Sequence, residues 1–81
     1  MNAVLVQTIA NLAAFLEFSP ESDVRLEVAV QQLEEMGFQL QRLDSGERTE
    51  FSRLIREFAS TRNNDQERSF FENFPSEFGL E

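Results

Sequence analysis

Eighty-one residues carry fifteen acidic side chains against seven basic ones, all arginine, for a formal charge of −8 at pH 7. A chain this short makes one domain, residues 1–81, and its acidity repels phosphate backbones and anionic lipid at long range, so neither nucleic acid nor a membrane is expected as a partner. Cysteine, histidine, lysine and tyrosine are all absent, which removes disulfides, thiolate and imidazole metal sites and the usual general bases and nucleophiles. The expectation is a non-enzymatic protein with no cofactor and no bound metal, in a reducing compartment, by default the cytoplasm.

The opening run MNAVLVQTIANLAAFL has no charged side chain. It lacks the basic start of a signal peptide and is shorter than the roughly 18 apolar residues a bilayer crossing needs, so it is expected to be a buried helix. Leu5, Ile9, Leu12 and Leu16 recur at helical spacing and predict an inward stripe on a helix ending near Phe18. The other side (Val4, Gln7, Asn11, Ala14, Phe15, Phe18) is uncharged too, which in so acidic a chain implies cover by another helix or, less simply, by a second subunit. Ser19-Pro20 breaks this helix, and Ser22 or Asp23 is placed to cap the next.

The second helix carries Leu26, Ala29, Val30, Leu33, Met36, Leu40 and Leu43 on one stripe. Gly37 could end it as a left-handed stop with Phe38 folded back on Leu33, but Leu40 and Leu43 keep the phase and favour continuation to Leu43. Asp44 and Glu47 then have capping-box spacing, and Phe51, Leu54, Ile55 and Phe58 form the narrow apolar face of a third helix. After the polar connector STRNND, Asp65 is expected to cap a short helix over 66–74 that Pro75 stops, with Gly79 ending a final turn. Four of the nine phenylalanines (Phe70, Phe71, Phe74, Phe78) crowd this end and are expected to fasten it to the core, Phe70 being the one left partly exposed. No segment alternates as a half-buried strand would. The fold class is therefore all-α, a bundle of three longer helices and a short C-terminal one.

On the second helix Phe38 lies opposite the inward stripe, among Glu27, Gln31, Glu34 and Glu35. An aromatic side chain rimmed by carboxylates suits a basic protein partner, so Glu27, Glu34, Glu35 and Phe38 are the candidate partner-binding residues. Two other motifs carry less. Asn63, Asp65, Ser69 and Glu72 match positions 3, 5, 9 and 12 of a calcium loop counted from Thr61, but Thr61, Gln66 and Arg68 occupy the places of its opening aspartate, its glycine and an apolar residue. Asp44-Ser45 resembles the attachment site of acyl carrier proteins, except that Gly46 replaces the leucine and the long helix before it is out of register. A bundle of four short helices is also expected to leave little room for a catalytic cleft.

The stretches ERSFFENFPSEFGL and LQRLDSGERTEFSRL resemble the ends of small bacterial proteins encoded near toxin genes. In size, acidity and helicity the chain is similar to bacterial immunity proteins, although the tyrosine pair and the proline-bearing third-helix motif of the colicin DNase immunity family are absent. That resemblance implies an inhibitor that blocks a toxin domain with an acidic helical face; on the face read from the second helix, Glu27, Glu34 and Glu35 would steer a basic partner and Phe38 would anchor it. The alternative is a self-associating structural or regulatory subunit, a homodimer formed through the uncharged face of the first helix.

Overall fold

Three of the four helix starts are fixed by a side chain that the local sequence supplies. Asn2 Oδ1 accepts from the Val4 and Leu5 amides at 2.8 and 3.2 Å and opens α1 (Ala3–Phe18). Asp44 Oδ1 accepts from the Glu47 amide at 2.8 Å while Glu47 Oε1 accepts from the Asp44 amide at 3.1 Å, so the expected capping box opens α3 (Ser45–Ser60). Asn64, not Asp65, caps α4 (Asp65–Glu77), accepting from the Glu67 amide at 3.0 Å. Asp65 is instead the first helical residue, where its carboxylate favours the helix dipole and accepts from Arg68 at 3.0 Å. The exception is α2 (Leu26–Leu40), whose flanking Arg25 makes no capping bond. Neither Ser22 nor Asp23 caps it, because a turn intervenes in which the Asp23 and Val24 amides donate to the Pro20 carbonyl at 2.9 and 3.0 Å. The computed structural model describes residues 1–81, and the all-α, four-helix fold read from periodicity is the fold observed.

Helix ends depart further from expectation. The second helix does pass through Gly37, but it stops at Leu40 rather than Leu43, and tightened turns carry the chain on, Arg42 donating to Gln39 and Leu43 to Leu40 at 3.1 Å each. Leu43 still packs against the core. Pro75 does not stop α4: it lies inside the helix with its ring fully buried, and that burial offsets the missing amide donor. Gly79 ends the helix, with φ +74°, the Leu80 amide donating to Pro75 at 2.8 Å and the Gly79 amide to Ser76 at 3.2 Å. This is a Schellman motif, and Pro75 and Leu80, the positions whose apolar contact accompanies it, are both buried.

The two glycines at this junction should respond to alanine with opposite signs. At Gly79 an added Cβ would lie 2.7 Å from Gln41 Nε2 in a left-handed backbone, so Gly79→Ala is expected to destabilise by about 1–2 kcal/mol. At Gly37 the nearest atom outside its own helix, Phe78 Cδ2, would be 3.5 Å away, an ordinary contact, so Gly37→Ala is expected to stabilise by about 0.5–1 kcal/mol. Urea unfolding followed by circular dichroism checks both.

The third and fourth helices pack most extensively on each other, and their aromatic side chains fill the centre. Phe51, Ile55, Phe71 and Phe74 are essentially inaccessible, while Phe70 and Phe78 are half-buried. Phe74 stacks on Phe78 with ring centroids 3.8 Å apart and meets Phe70 edge-on at 5.7 Å. Because these bulky side chains occupy the centre, α1 turns its small side to them: Val6, Ala10, Ala13 and Ala14 are buried. The expected stripe is thereby displaced, leaving Leu5 61% and Leu12 52% exposed. Leu26 and Val30 are likewise exposed, since α2 packs chiefly on α1 and reaches α4 near Gly37 and Gln41.

Candidate functional site

The Schellman end of α4 turns Phe78 back over α2. Gly37, lacking a side chain, admits its ring, and Gln41 Nε2 donates to the Phe78 carbonyl at 2.9 Å. The result is an open groove of about 310 Å³ in which Leu33, Gly37, Phe70 and Phe78 supply apolar surface. Phe38, 62% exposed, completes the lining with three carboxylates, Glu17 from the last turn of α1, Glu34 from the middle of α2 and Glu77 from the end of α4.

None of these three carboxylates has a cationic partner, a state they share with Glu21, Asp23, Glu35, Asp44, Glu47, Glu67 and Glu72, while Glu27, Glu50, Glu57, Asp65 and Glu81 are within salt-bridge distance of a cation. What sets the three apart is their convergence on one apolar groove. Glu17 and Glu77 also sit at helix C-termini, where the macrodipole disfavours negative charge. Local stability would be better served by arginine at either place. Held instead around an aromatic wall, the three acids create a negative potential over an apolar surface, the combination that attracts a guanidinium or ammonium group and then desolvates its stem.

Of the four residues read from the sequence, Glu34 and Phe38 line the groove and the other two lie outside it. Glu27 is paired with Arg25 at 2.5 Å, and Glu35 accepts from Gln39 at 3.1 Å. Sequence reasoning missed Glu17, Glu77 and the groove-lining role of Leu33, Phe70 and Phe78. One signal was present: Glu17 is the single charge of α1, at the end where a helix tolerates it least.

The expectation of little room for a cleft is corrected, because four open grooves of between about 310 and 550 Å³ mark the surface. The largest is lined by Arg53, Arg56, Glu57 and Glu81, whose charges satisfy one another. Arg56 donates to both oxygens of Glu81 at 2.7 and 2.5 Å; these hydrogen bonds, partly opposed by desolvation, hold the Glu81 carboxyl below its ordinary range and raise the Arg56 guanidinium. No three acidic side chains approach closely enough to hold a metal ion, and no helix is long and apolar enough to cross a membrane.

The molecule is thus an all-α bundle with an acid-rimmed aromatic groove between α1, α2 and α4, beside a second groove that shares Glu17, Phe70 and Glu77 with it and adds Phe18 and Asp65. Comparison with protein-family models, with curated proteins and with solved structures returned no match.

Proposed function

We propose that this chain is a non-enzymatic, cytoplasmic protein-binding module, acting as an immunity-type inhibitor that occupies a basic toxin domain through the acidic groove between α1, α2 and α4. One observation carries the reading: Glu17, Glu34 and Glu77 stand unpaired around an aromatic groove that includes the exposed ring of Phe38. The groove's volume is at the lower limit for a small-molecule site and suits one or two side chains of a partner protein. In this mechanism the carboxylates draw a basic surface in and fix its orientation, Phe38 anchors the contact, and the bound bundle blocks the partner's own anionic substrate.

The test is capture from the source cell with immobilised protein at low salt. The proposal expects a basic domain that is released by salt and is not held by the Glu17→Gln/Glu34→Gln/Glu77→Gln variant. Capture of an acidic or neutral partner, or equal capture by the variant, contradicts it.

A further inference from the structure

The face of α1 turned away from the bundle is apolar and, in a protein of formal charge −8, carries no charged side chain of its own; at its edges the Met1 ammonium pairs with Glu50 at 3.1 Å and Arg62 reaches Asn11. Val4 is 69% and Phe15 56% exposed, and Met1, Leu5 and Leu12 add to the same patch. Together they present on the order of 500 Å² of apolar surface, near the upper end of what monomeric proteins show. The helix's one charge, Glu17, projects to the groove instead. The cover expected from another helix is absent: Ala14 is buried, but Val4, Phe15 and Phe18 remain accessible.

We infer that this face is the seam of a homodimer in which α1 packs antiparallel on its counterpart in a second copy. Leu5, Thr8, Leu12 and Phe15 follow one another at intervals of three and four, the spacing that keeps a seam facing a partner helix. Their sizes complement their own reverse order. An antiparallel pair sets Leu5 against Phe15 of the second copy and Thr8 against Leu12, so that each position meets one of a different size. A parallel pair would oppose Phe15 to Phe15 and Thr8 to Thr8, a clash and a gap. Two polar atoms along the seam already have partners within the chain: Thr8 Oγ1 donates to the Val4 carbonyl at 2.9 Å and Asn11 Oδ1 accepts from Arg62 at 2.5 Å. Removing water from this face therefore strands no hydrogen bond at Thr8 or at the Asn11 oxygen.

Two such faces bury roughly 1,000 Å², the lower limit of a specific interface, which places the dimer among weak, reversible associations. Its salt dependence is opposite to that of the acidic groove. Screening weakens capture of a basic partner, but it relieves repulsion between two chains of charge −8 and tightens the dimer.

Sedimentation equilibrium tests the inference, with an expected mass rising toward twice the 9.4 kDa of the chain and rising further in salt. Leu12→Glu is expected to weaken the dimer more than 100-fold with unchanged helicity, whereas Phe38→Ala leaves it intact. Since the chain has no cysteine, Thr8→Cys and Leu12→Cys chains report the register: mixed, they cross-link under mild oxidation, and separately they do not. A monomer at concentrations up to ~1 mM, a dimer indifferent to Leu12→Glu, or cross-linking of each variant with itself overturns the inference. Loss of the dimer with groove binding preserved would leave the proposed function untouched.

Discussion

Phe74→Ala is expected to cost about 3–5 kcal/mol, the largest loss of any single truncation in this bundle. The ring is fully buried and forms the junction of the aromatic cluster, stacked on Phe78, edge-on to Phe70 and 5.9 Å from Phe51 on α3. Truncation leaves a cavity that rigid neighbouring rings cannot close. A domain of this length is stable by only about 4–12 kcal/mol, so the variant is left with a fraction of that or unfolds at room temperature. It should also release Phe78 from its stack, loosening the groove wall and the Gln41 contact. Urea unfolding at 25 °C measures the loss. A cost below about 1 kcal/mol would show that the C-terminal rings are not what closes the core.

The second large effect is a loss of binding that accompanies a gain in stability. Replacing Glu17, Glu34 and Glu77 by glutamine removes three charges that make no salt bridge, two of them at helix ends where negative charge is unfavourable. Each of those two contributes about 0.3–1 kcal/mol of destabilisation, so the triple variant is expected to unfold at higher urea than the parent. The same substitutions are expected to slow association with a basic partner by about 10–100-fold, chiefly through lost steering. Phe38→Ala should act on the other rate, raising dissociation by about 30-fold if the ring is an anchor of about 2 kcal/mol. Stopped-flow association and surface-bound dissociation separate the two. A triple variant that binds normally would show that these acids do not recognise the partner, and one that loses stability would show that they serve the fold.

Most of the architecture could be read from the chain because it rests on local chemistry. The capping box at Asp44 and Glu47, the narrow face of Phe51, Leu54 and Ile55, and the burial of Phe71 and Phe74 all follow from residue type and spacing. What periodicity could not supply is which of two apolar faces turns inward. On α1 both Leu5/Ile9/Leu12/Leu16 and Val6/Ala10/Ala13 are consistent with a helix, and the choice falls to the alanines only because the rings of α3 and α4 already occupy the centre. Pro75 misled for a similar reason: its effect on helix geometry is local, but its burial depends on tertiary packing.

The groove was half visible. Glu34 and Phe38 share a face of one helix, so spacing brings them together. Glu17, Phe70, Glu77 and Phe78 lie 17 to 44 residues from Glu34 in sequence, and only the return of α4 over Gly37 joins them. The same spacing rule that found Glu34 also enlisted Glu27 and Glu35, which share a helix side with Phe38 but not the concavity.

The proposed role of the groove depends on affinity for cationic side chains. Its most direct test is nitrogen-15 chemical-shift mapping of the labelled protein titrated with the tripeptide amide Arg-Phe-Arg-NH₂. Saturable shifts are predicted at Leu33, Glu34, Gly37, Phe38 and Phe78, reduced by salt and absent from the Glu17→Gln/Glu34→Gln/Glu77→Gln variant. Shifts scattered over α3, or shifts of equal size in the variant, would contradict it.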